Sequence, residues 1–173
     1  MAKFNMKVDS DILVLGSSSI PEEDYLQLAS DLGDGLAPLY ATVWSRALNP
    51  ADTSAFVKSI ANQPNKDQLI YRRAICCIDN ARFIVVDISQ ASTGMGLEVG
   101  YLLSKLKEQN KYVCFIAKEG SKISPHITGM YKHVTGEDCA VVMYDEAKNM
   151  FEAVRTSIPY ENYRNMLSLE GTY

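Results

Sequence analysis

Phe83-Ile-Val-Val-Asp87 runs directly into Ile88-Ser-Gln-Ala-Ser92-Thr-Gly94-Met-Gly96-Leu-Glu98-Val-Gly100. Four apolar residues closed by an aspartate, with polar neighbours on either side, read as a strand buried on both faces. The serines and Gly94 that follow make a loop, and the next apolar spacing predicts a helix from about Met95 to Glu108. A doubly buried strand feeding a helix is half of a βαβ unit, which needs parallel strands on each side. Working outward, Asp11 to Gly16 and Leu39 to Trp44 read as earlier strands. Tyr112 to Ala117 and Ala140 to Tyr144 read as later ones. Ser19-Ile-Pro-Glu22 has capping-box spacing and opens a helix through about Leu32. The stretch Ser45 to Asn65 holds two prolines and a short helix from Thr53 to Ala61, and another helix covers Lys66 to Asp79. Asp145 caps a last helix that continues brokenly towards Leu167. The expected class is α/β, a doubly wound five-stranded parallel sheet covered by helices. Residues 1–173 form one domain, with residues 1–10 and 168–173 as flexible tails.

Composition narrows the function. The chain carries 17 basic and 21 acidic residues, a net charge of −4, and a mean hydropathy of −0.10. No basic face is in prospect for a nucleic-acid polymer, although a small anion held by a few local donors stays open. Residues 1–10 lack an apolar signal region, and no apolar run reaches the roughly 18–20 residues of a membrane helix, so a cytoplasmic protein is expected. The cysteines are Cys76, Cys77, Cys114 and Cys139, without C-x-x-C spacing. They sit in apolar runs, where free cysteine behaves as a small buried hydrophobe. His126 and His133 lack carboxylate company, so no metal site is expected.

In sheets of this kind ligands gather at the carboxyl ends of strands, here the loops after Leu15, Asp87 and Ile116. Gly94 and Gly96 permit a tight turn and a close backbone approach, and Glu98 follows in the expected first helical turn. There the helix N-terminus would keep Glu98 ionised. Two readings stand side by side. An ionised carboxylate beside a cleft can attack an electrophilic sugar carbon while Ser92 and loop amides hold a phosphate or hydroxyl. Alternatively, Glu98 merely complements the helix dipole. A dinucleotide fingerprint does not fit, because the glycines are spaced G-x-G-x-x-x-G and follow the third strand.

Lys66 to Gly129 resembles the nucleoside 2-deoxyribosyltransferase superfamily, most closely its 2′-deoxynucleoside 5′-phosphate N-hydrolase branch. The matching text is Asp67-Gln-Leu-Ile-Tyr71, Ala81 to Gly100 with its Ser-x-Gly-x-Gly-x-Glu core, Lys111-Tyr-Val-Cys-Phe115, and Ser124-Pro-His-Ile-Thr-Gly129. The resemblance implies a flavodoxin-like sheet and cleavage of the N-glycosidic bond of a deoxynucleoside or its 5′-monophosphate, without cofactor. Glu98 would form a deoxyribosyl-enzyme that water resolves, or that a second base resolves in a transferase. Ser92 and Ser124 would contact the 5′-phosphate, one of them across the interface of a homodimer or larger homo-oligomer.

The chain also departs from that pattern. Ala74 stands where the family carries an acid, leaving Asp87, then Tyr71, as substitutes. The first-strand loop reads Gly16-Ser17-Ser18-Ser19-Ile20 and lacks the hydrolases' arginine. Hydroxyls and amides of Ser17 to Ser19 would then form the sugar-phosphate nest, with Arg46, Arg72 or Arg73 supplying charge. Arg82 replaces an acidic residue at an exposed position, and Tyr40 and Trp44 are stacking candidates for a base. These departures keep a non-catalytic nucleotide-binding homologue in view.

Overall fold

The computed structural model of the chain describes residues 10–16, 22–36, 41–45, 49–90, 92–106, 108–133 and 137–170. Strands and helices alternate as β1 (Ile12–Leu15), α1 (Glu22–Leu36), β2 (Val43–Ser45), α2 (Pro50–Ile60) and α3 (Lys66–Asn80). There follow β3 (Phe83–Asp87), α4 (Thr93–Lys105), β4 (Tyr112–Lys118), α5 (Pro125–His133), β5 (Cys139–Tyr144), α6 (Met150–Arg155) and α7 (Ile158–Glu170). The strands pair in parallel in the order β2-β1-β3-β4-β5, giving an α/β protein whose sheet is flanked by helices. β3 lies at the centre, Phe83 opposite both Ile12 and Tyr112, and every one of its residues is buried. Among the described residues no helix is long and apolar enough to cross a membrane.

Alternation along the strands divides the core in two. On one face Leu13, Ile84, Val86 and Phe115 meet Cys77 and Ile78 of α3 and Val99 and Leu102 of α4. On the other, Ile12, Phe83, Val85 and Ile116 meet Leu28 and Leu32 of α1, Val154 of α6 and Tyr163 of α7. Phe83 stacks on Tyr163 with ring centroids 5.3 Å apart and takes Tyr160 edge-on at 5.8 Å. The chain therefore winds one way through α1 and the other way through α3 and α4. Its reversal point lies between β1 and β3, where a parallel sheet opens a crevice at its carboxyl edge.

A buried lysine anchors one wall of that crevice. Lys111 is 2% exposed, and its Nζ donates to the carbonyls of Ile78, Asp79 and Ala81 at 2.8, 2.9 and 2.6 Å. These carbonyls end α3, where a cation complements the helix dipole and occupies acceptors left without helical partners. Burial lowers the lysine's pKa.

Several boundaries differ from the sequence expectation. α1 continues past Leu32 because Leu36, one turn on, is also fully buried. Gly35 lets α1 sit close to α6 and α7, since a Cβ there would press on Phe151 and Tyr160. A short helix, α5, occupies a stretch between β4 and β5 to which the sequence reading assigns no element. Residues 168–170 belong to α7 rather than to a tail, and the Arg82 guanidinium grips both carboxylate oxygens of Glu170 at 2.9 Å. That pair is solvent-exposed, so its stabilisation is small. Cys77, Cys114 and Cys139 are buried free thiols, and desolvation pushes them up to about 11, 12 and 12 respectively.

Candidate functional site

The crevice at the reversal point is a cavity of about 340 Å³. Its base is the end of β1, Val14, Leu15 and Gly16. One wall is α3, which presents Ile70, Arg73, Ala74 and Cys77, positions spaced to share one helical face. Thr53, Phe56 and Val57 of α2 close the far side, and Glu98 reaches in from α4. Most of this lining is apolar, with a few polar groups converging on it, the usual make-up of a small-molecule site.

Glu98 is half-buried, and desolvation raises its pKa. This corrects the expectation of a dipole-stabilised anion. α4 begins at Thr93, capped by Ser92, whose Oγ accepts from the Met95 N–H at 3.2 Å. Glu98 therefore sits in the second turn, beyond the reach of the terminal N–H groups, and burial prevails. A carboxyl more basic than usual is still a competent nucleophile when ionised, and is easier to protonate than a surface glutamate.

Arg73 is the other charged group in the wall. It is 7% exposed, pairs with Asp52 of α2, and lies with its guanidinium carbon 4.4 Å from the centroid of Phe56. Ion pairing and ring stacking together compensate the desolvation of the cation. Asp52 is itself 41% exposed, so the pair bridges α2 and α3 at the cavity's margin.

The remaining sequence candidates fall in different places. Gly16 lies in the base of the cavity, where a Cβ would come within 2.2 Å of the Tyr25 ring and force it to move. Ser17, Ser18, Ser19, Tyr40 and Arg46 lie outside the described residues, as does the side chain of Trp44. Gly94 and Gly96 are exposed in the first turns of α4 with open space beside them, and neither lines the cavity. Ser92 is exposed at the same helix end and serves as its N-cap. Ser124 is half-buried just before α5, where its carbonyl accepts from the Thr128 N–H, and it too lies off the cavity lining.

Both substitutes for the missing acid are displaced. Asp87 is fully buried on the α1 side of the sheet. Its Oδ1 accepts from the Ser89 N–H at 2.8 Å, and its Oδ2 accepts from the hydroxyls of Tyr144 at 2.9 Å and Tyr25 at 3.4 Å. It shares face parity with Phe83 and Val85, not with the side that packs α3 and α4. Tyr71 is 52% exposed and absent from the cavity wall, because a step of one residue from Ile70 turns it about 100° round the helix. Ala74 does face the cavity, so the wall is apolar at the position expected to hold an acid.

Sequence reasoning overlooked the α2 contribution and passed over Arg73 as a fixed wall residue. The available signal was Asn49-Pro50, since proline is favoured in the first turn and asparagine before it. That start brings Thr53, Phe56 and Val57 onto one face. Compared with known proteins, the chain matches no family model and aligns significantly with no curated protein.

Proposed function

We propose that this protein cleaves the N-glycosidic bond of a 2′-deoxynucleoside 5′-monophosphate, with Glu98 as the nucleophile. One observation carries the reading: Glu98 lines the same cavity as Gly16, at the carboxyl end of β1 beneath α2, α3 and α4. The resemblance of the Ser-x-Gly-x-Gly-x-Glu text supplies the chemistry. The order β2-β1-β3-β4-β5 supports the flavodoxin-like class, in which ligands bind at this reversal point.

In this mechanism a Glu98 oxygen attacks C1′ of the sugar, forms a deoxyribosyl ester and expels the base. Water then releases the sugar phosphate and regenerates the carboxylate. The apolar walls exclude bulk water and strengthen electrostatic contacts with the reacting groups. The 5′-phosphate would lie towards the loop after Gly16, with Ser92 and Ser124 as further donors. Neither serine lines the cavity of its own chain, which favours a homodimer or larger homo-oligomer in which a neighbour contributes one of them. We place the enzyme in the cytoplasm, without a cofactor.

A second reading is favoured by Ala74 and by the position of Asp87: a nucleotide-binding homologue without catalysis. Base release from a panel of deoxynucleosides and their 5′-monophosphates, followed by chromatography, separates the two. The enzyme reading requires release by wild type and its loss in Glu98→Ala. Binding without release supports the homologue. Adding a different free base distinguishes hydrolysis from deoxyribosyl transfer by the appearance of an exchanged nucleoside.

A further inference from the structure

When a glycosidic C–N bond breaks, the base departs with the bonding electrons, and that charge needs a donor or cation beside it. Among the described lining residues, Thr53 offers a neutral hydroxyl, Cys77 a weak thiol donor and Ala74 no polar side-chain atom; Arg73 is the cation. We propose that Arg73 is the electrophilic partner of Glu98: its guanidinium, fixed by Asp52 and Phe56 in the cavity wall, hydrogen-bonds the departing base and stabilises its negative charge. The inference rests on the reading of Glu98 as nucleophile.

The geometry suits that task. A side chain 7% exposed, stacked on an aromatic ring and ion-paired, is held in place before any ligand arrives. A guanidinium carries five N–H donors in a rigid planar fork and keeps its charge whatever the leaving base. It does not give up its proton, so it stabilises the leaving group without acting as a general acid. The proton balance then closes through water. In the first step Glu98 bonds to C1′ and the base leaves as an anion held by Arg73. In the second, water gives its oxygen to C1′, frees the Glu98 carboxylate, and supplies the proton that neutralises the base.

Leaving-group dependence tests this directly. Base release is measured for wild type, Arg73→Met, Arg73→Lys, Asp52→Asn and Glu98→Ala on two pairs of 2′-deoxynucleoside 5′-monophosphates. One pair carries uracil and 5-fluorouracil, the other guanine and 7-methylguanine; the second member of each leaves more readily. Arg73→Met should slow the poorer leaving group by roughly 100-fold and the better one by less than about tenfold. Arg73→Lys should fall between, and Asp52→Asn should show the same asymmetry in weaker form. Circular dichroism confirms folding, and if Arg73→Met does not fold, the other two variants carry the test. Equal slowing of both members in folded variants, or no slowing, overturns the role of Arg73 while leaving Glu98 intact. Release that does not depend on Glu98, or no release by wild type, overturns both.

Discussion

Asp87 and Glu98 are separated by eleven positions in one motif, yet they occupy opposite sides of the sheet and different chemical surroundings. Asp87 is sealed among α1, β3 and β5, where two tyrosyl hydroxyls and a backbone N–H point at its oxygens. Glu98 lines an open cavity and carries a carboxyl that burial makes harder to ionise. A carboxylate supplied with donors on a buried face ties elements together; one denied such donors beside a cavity is available for chemistry. On the proposed reading the first is structural and the second reactive.

The sharpest way to break that contrast is Asp87→Asn. The amide keeps one acceptor oxygen but turns an NH2 donor towards either the Ser89 N–H or the two tyrosyl hydroxyls, and we expect a loss of roughly 1–3 kcal/mol in denaturant unfolding. The folded fraction should retain base release; a stable Asp87→Asn protein without activity would assign Asp87 to the reaction instead. On the cavity side, Lys111→Met should cost roughly 2–3 kcal/mol, because three carbonyls at the end of α3 lose their donor. Gly16→Ala joins the two regions, since its methyl group would displace Tyr25 from above the strand end and loosen a donor to Asp87. Overpacking of this kind costs roughly 1–3 kcal/mol, and a melting curve unchanged from wild type would show that Tyr25 moves freely.

The smallest expected effect concerns Glu98 itself. Its folded pKa lies above the ordinary value of 4.5, so the folded state binds this proton more tightly than the unfolded chain does. The cost of burying the charge is absent below the unfolded pKa and grows as pH rises through the raised folded pKa. Glu98→Gln should therefore match wild type in acid and melt slightly higher at neutral pH. The wild-type kcat/KM should fall on acidification with a midpoint above 4.5, since the nucleophile must be ionised.

The central strand was legible because it is a continuous apolar run, and β3 coincides with its expected span, Phe83 to Asp87; β2, expected over Leu39 to Trp44, is the shorter Val43–Ser45. Helix phase was less so. Within Asp67 to Cys77 the text does not say which face turns inward, so Tyr71 stood as a substitute acid and Arg73 as only one of three sources of charge for a phosphate. That choice depends on α2 covering one side of α3, a tertiary fact. The start of α4 was readable from Ser92, a favoured N-cap residue, and would have moved Glu98 out of the first turn. α5 escaped notice because Ile127 is its one buried apolar residue among those whose side chains are described, and Gly129 interrupts its pattern.

The most direct test of the central claim is covalent trapping. Wild type and Glu98→Ala are incubated with the 5′-monophosphate of a 2′-deoxy-2′-fluoroarabinonucleoside, whose fluorine slows the second step more than the first, and then digested for peptide mass spectrometry. A sugar phosphate ester on the peptide containing Glu98, absent from Glu98→Ala, is the expected result. A substrate that wild type cleaves without any such ester, or an ester on another residue, would contradict it.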